Sequence, residues 1–74
     1  FDGDLLVIDR SLDATHNNIV LAVVDTEFTV KRMIKGEDSV ILRAENPLFE
    51  DIVLKKDQHF MVWGVVVHVI HHLR

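Results

Sequence analysis

Lys31 is the residue with the most chemistry to offer in this chain of 74 residues. It lies in "TEFTVKRM" (26–33), among strand-forming and mostly apolar neighbours, Phe28, Thr29, Val30 and Met33. The ordinary reading is a lysine on the solvent side of a strand, beside Glu27 and Thr29, because lysines are seldom buried. A lysine drawn out of water has another use. Its pKa falls until the neutral amine can serve as a general base. Alternation puts Glu27, Thr29, Lys31 and Met33 on one face and Phe28, Val30 and Arg32 on the other. Periodicity leaves open which of the two faces is dry.

Other groups offer less. His68, His71 and His72 crowd one end of the chain. In a strand, His68 and His72 project to the same side about 13 Å apart, with His71 opposite. One ion needs three or four convergent ligands, so no metal site and no cofactor are expected. His16 and His59 stand in polar stretches and are expected to face solvent. Asp2 and Asp4 could pair as acid and base, but around Gly3 they read as turn formers. Trp63, in an apolar strand with no basic groove, reads as core rather than as a stacking platform for bases.

The elements that must position these groups are short and β-branched. After the Asp2-Gly3-Asp4 turn come "LLVID" and a polar loop, in which Asn17-Asn18 suits left-handed backbone. "IVLAVV" (19–24) and "EFTVKRM" are separated by Asp25-Thr26, the two-residue spacing of a β-hairpin. Thr26 is a poor residue for positive φ, which leaves the turn type open. "IKGED" is the next turn, with Gly36 expected to be left-handed, and "SVILRA" (39–44) the next strand. "ENPLFED" is irregular around Pro47, and "IVL" (52–54) is a brief strand. The last segment, "FMVWGVVVHVIHHLR", alternates Met61, Trp63, Val65, Val67 and Val69 on one face with Phe60, Val62, Val66 and Ile70 on the other. Both faces are apolar, so cover on both sides is expected, and Gly64 marks a bulge or a close backbone approach. The fold class is mainly β and antiparallel.

Composition narrows the function. The chain is 49% hydrophobic and 27% charged, which fits a single small ordered domain. So apolar a core in so short a chain is expected to draw on a further segment or a second copy. The pattern also opens without methionine and almost at once in a strand, so residues 1–74 are read as part of a larger domain. The net charge is −4, and Lys31-Arg32 and Lys55-Lys56 are isolated pairs, so direct nucleic-acid binding is not expected. The chain has no cysteine, a composition compatible with a reducing cytoplasm. Its longest apolar run, "VWGVVV", is far short of the roughly 20 residues that span a bilayer.

"DGDLLVID", "IVLAVVDTEFTVKRM", "LRAENPLFEDIVL" and "VWGVVVHVIHHLR" occur in the order and spacing of the LexA/UmuD family of self-cleaving serine peptidases. The chain resembles its C-terminal peptidase domain over practically the whole length, and "HVIHHLR" favours the UmuD branch. The resemblance implies a serine–lysine dyad in which Lys31, the first basic residue after "TV", is the general base. It implies that the nucleophile and the oxyanion-hole donors lie a few residues before "DGD". Ser11 and Ser39 do not match that position, so this stretch alone is expected to be inactive. Asp25-Thr26 stands where the family often carries glycine. Further implications are a homodimer, activation by a RecA filament, and joining to a UmuC-type polymerase in SOS mutagenesis. Rival expectations are the self-cleavage domain of a LexA-like repressor, a signal-peptidase-like domain, and an interaction module in which Lys31 is ordinary surface. The signal-peptidase alternative lacks its Gly-Asp-Asn-Arg-type box.

Overall fold

A computed structural model describes residues 3–55 and 57–71. They form one six-stranded antiparallel sheet: β1 (Leu5–Asp9), β2 (Ile19–Val24), β3 (Glu27–Lys35), β4 (Val40–Arg43), β5 (Ile52–Val53) and β6 (Phe60–Ile70). The spatial order is β1-β6-β2-β3-β4-β5, so the last strand inserts between the first two. The mainly β, antiparallel expectation holds, with strand positions close to those read from sequence.

The register explains where the core lies. Val20 pairs with Lys31 and with Val65, Ala22 with Thr29 and Val62, and Met33 with Leu42. Directly paired residues share a face, as do residues two apart on one strand. Val20, Ala22, Met33, Leu42 and Val65, the buried apolar set among the described residues, therefore all stand on one face. Phe60, Val62, Val40 and Ile52 extend it, while Ala14 and Leu54 close over it from the connections. The opposite face carries the rows Met61–Val23–Phe28 and Ile34–Ile41–Val53. There Met61, Phe28 and Val53 remain exposed.

Strict alternation fails in β6, and the expected face assignment is corrected accordingly. Ala22 and Leu21 are consecutive, yet they face Val62 and Gly64, so Trp63 is an extra residue. Val7 and Ile8 face His68 and Val66, so Val67 is a second one. Each bulge reverses the parity of the residues beyond it. Val65 consequently joins Val62 and Phe60 on the core face instead of opposing them. The glycine at 64 is required by proximity: a Cβ there would collide with Ile8 Cγ2 and stand 3.3 Å from the Asp9 carbonyl oxygen.

The turns also depart from expectation in one place. Gly36 is not left-handed; among the described glycines only Gly3 has positive φ, at 80°. The β2–β3 hairpin instead takes positive φ at Asp25 (47°) and Thr26 (75°), the pattern of a type I′ turn. That turn matches the twist of the flanking strands, and this gain outweighs the steric cost at a β-branched residue. Asp25 is held besides, its N–H donating to the His59 carbonyl and its Oδ2 accepting from Gln58 Nε2 at 2.8 Å. Asn17, at φ 76°, is left-handed as its sequence suggests.

Candidate functional site around Lys31

Lys31 sits in the middle of β3, and its side chain belongs to the core face. One rung of the sheet reads Asp9–Val65–Val20–Lys31 across β1, β6, β2 and β3. Val20 is 0% exposed and Val65 5%, so the partly buried lysine borders the dry centre of the sheet. Along its own strand the same-face neighbours are Thr29 and the buried Met33. The neighbouring cation is aimed elsewhere. Arg32 faces the other side, where Nη2 lies 2.7 Å from Glu45 Oε1 and Nη1 donates to the Asn17 carbonyl at 2.8 Å. The ion pairs among the described residues involve Arg32, Arg43 and His71, and none involves Lys31. Asp9, at the far end of the rung, is three strands away, roughly 14 Å at the usual strand spacing.

Neither serine is positioned for this amine. Ser11 Oγ and N–H both donate to Asp9 Oδ1, at 2.6 and 2.8 Å, in a local turn after β1. These bonds, the side-chain one first, hold the Asp9 carboxyl below its ordinary range. Ser39 lies in the β3–β4 turn, where its carbonyl accepts from the Gly36 N–H. A base must come within about 2.6–3.2 Å of the proton it abstracts, directly or through one water. Within the described residues neither serine is brought to Lys31.

The remaining candidates separate. Asp4 Oδ1 lies 3.1 Å from His71 Nδ1, joining the start of β1 to the end of β6. The reading of Asp2 as a turn former with Asp4, and the position of His72, fall outside the described residues. Among the described residues no group of three or more His, Cys, Asp or Glu is arranged to hold a metal ion. Likewise, no helix there is long and apolar enough to cross a membrane. Trp63 is partly buried and carries the Arg10 guanidinium 4.0 Å from its ring centroid, while Arg10 Nε donates to the Trp63 carbonyl. The bulged tryptophan thus anchors the loop after β1.

Two features were not foreseen. His16, although exposed, uses Nδ1 to accept the Lys35 N–H at 3.0 Å and so pins the polar loop beside β3. The connection after β4 is ordered by its own polar groups: Asn46 accepts from Leu48 N–H through Oδ1 and from Phe49 N–H through its carbonyl. The signal for the second was present in Asn-Pro, a turn-initiating pair. A cavity of about 440 Å3 lies between this connection and Arg32 and Arg43; another, about 520 Å3, lies between Lys35, Val40, Lys55 and Phe60.

Residues 1–67 match the family described as Peptidase S24-like. The chain belongs to this family. Among curated relatives, the LexA repressor of Syntrophotalea carbinolica is 40% identical over 73 residues, 99% of this chain and 36% of that protein. Protein MucA of Salmonella typhimurium is 38% identical over 67 residues, 90% of this chain and 46% of the relative. Protein ImpA of Shigella flexneri is 38% identical over 74 residues, 99% of this chain and 49% of the relative. The chain therefore spans half or less of the length of these proteins.

Proposed function

We propose that Lys31 is the general base of a self-cleaving serine–lysine peptidase whose serine is carried by the remainder of a parent protein. The observation that carries this reading is the rung Val65–Val20–Lys31, which sets an amine at the rim of a dry apolar centre. The chemistry needs that amine uncharged when the hydroxyl arrives. Lys31 then takes the hydroxyl proton as the serine oxygen bonds to the scissile carbonyl carbon. The resulting ammonium returns the proton to the departing backbone nitrogen as the C–N bond breaks. Water hydrolyses the ester, with Lys31 again accepting and returning a proton. A strand suits this work because it fixes the direction of the side chain.

The parent is read as a UmuD-like SOS mutagenesis protein that dimerises, is cleaved under the influence of a RecA filament, and supports a UmuC-type polymerase. The C-terminal "HVIHHLR" favours this role. The second reading, the self-cleavage and dimerisation domain of a LexA-type repressor, draws on the 40% identity to one such repressor. A helix-turn-helix at the N-terminus of the full gene product decides for the repressor.

The test is self-cleavage of the parent protein at alkaline pH, followed on a gel. Cleavage is expected in the unsubstituted protein and its loss in Lys31→Ala, with the β-sheet circular dichroism retained. A folded Lys31→Ala protein that still cuts itself would remove Lys31 from the reaction.

A further inference from the structure

Among the described residues the sharpest apolar exposure lies away from Lys31's face, on the connection between β4 and β5. Leu48 is 88% exposed and Phe49 66%, adjacent in sequence and larger than anything an ordinary surface turn needs. Isolated exposed apolar residues are common and require no explanation. This pair differs because its backbone is fixed. Pro47 restricts the turn, Asn46 accepts two backbone N–H groups across it, at 3.0 and 3.1 Å, and charged pairs tie both ends to the sheet. At one end Glu45 meets Arg32, and at the other Asp51 takes Arg43 Nε and Nη2. A loop held in this way loses little conformational freedom when something docks on it.

From this geometry we infer that residues 45–51 form a preorganised recognition loop for another protein, one with an apolar cleft rimmed by lysine and arginine. Charge selects this occupant. The stretch "ENPLFED" holds Glu45, Glu50 and Asp51 and no basic residue. Glu45 and Asp51 are engaged with arginines, and Glu50, next to Phe49, takes part in no ion pair among the described residues. A second copy docking loop to loop would oppose Glu50 to Glu50, on chains already at −4 each. A basic rim around an apolar cleft satisfies both halves of the loop: Leu48 and Phe49 fill the cleft while Glu50 meets the rim.

The test uses the full-length parent protein with a photo-crosslinking phenylalanine analogue in place of Leu48, irradiated in its host cells. Crosslinked peptides are mapped by mass spectrometry, and the captured protein is purified and titrated with the parent protein. Crosslinks are expected in an apolar cleft flanked by Lys and Arg. The double variant Leu48→Ser, Phe49→Ser should bind about ten-fold or more weakly, as truncating central apolar anchors does. Glu50→Lys should also weaken binding, and raising ionic strength from about 0.05 to 0.2 M should slow association. Self-cleavage and circular dichroism should be unchanged in these variants, which separates this inference from the role of Lys31. Crosslinks confined to the parent chain or a second copy, no crosslink, or binding indifferent to the double variant or to Glu50→Lys would each overturn it.

Discussion

The two faces of the sheet are both apolar, yet only one is a core. On the first, Val20, Ala22, Met33, Leu42 and Val65 meet across consecutive rungs and are covered by Ala14 and Leu54 from the connections. On the second, Met61, Val23 and Phe28 meet just as directly, but Met61 and Phe28 stand open to water. Hydrophobic pattern alone therefore does not make an interior; a covering layer does. The same comparison gives Lys31 its meaning, because it lies on the covered face, at the border between the sealed rungs and solvent.

The largest effect that would break this contrast is a truncation on each side. Leu42→Ala should lower stability by about 2–5 kcal/mol, while Val53→Ala should stay within about 0.5 kcal/mol, by urea denaturation. Equal costs at the two positions would show the second face to be covered in solution. Repeating the pair in the parent protein sharpens the point, since a larger Val53→Ala cost there measures the cover that the rest of the parent supplies. Next in size is Gly64→Ala, whose methyl group would push against Ile8 and separate β1 from β6. About 1–3 kcal/mol of destabilisation is expected, with the greatest loss of amide protection along Leu5–Asp9.

A gain is expected at the hairpin tip. Thr26→Gly removes a β-branched side chain from left-handed backbone and should raise stability by about 1 kcal/mol, seen as a higher melting temperature. The smallest effect concerns Asp9. Its carboxyl is held below the ordinary range by Ser11, so its contribution to stability is present at neutral pH and fades as acidification passes through the lowered pKa. Ser11→Ala should return that pKa toward the ordinary carboxylate value, measured by NMR titration of Asp9, and move the loss to higher pH.

Much of the fold was legible because β-branched runs and turn residues alternate cleanly. All six strands lie where those runs lie, and Asp25-Thr26 marks the hairpin. What sequence could not give was parity relative to the interior. Lys31 and Met33 share a face by simple counting, but Met33's burial depends on Leu42 across the ladder, a partner set by tertiary pairing. Val65 was assigned to the wrong side because a bulge is an insertion of one residue without a fixed sequence mark. Gly64 signalled that something happens there but not that Trp63 is the supernumerary residue. Gly36 shows the converse, since a glycine's freedom permits positive φ without requiring it. The family resemblance singled out Lys31 where periodicity had left two readings open.

The insertion of β6 between β1 and β2 has a consequence for biosynthesis. Leu5 has its ladder partner in Ile70, so the opening strand leaves the ribosome long before the residue that will hold it. Until residues 60–70 have been made, both β1 and the outer edge of β2 lack the partner that lies between them here, and such edges invite aggregation. The sheet cannot close strand by strand in chain order; it must wait for β6 and then form in a slow step governed by distant pairings.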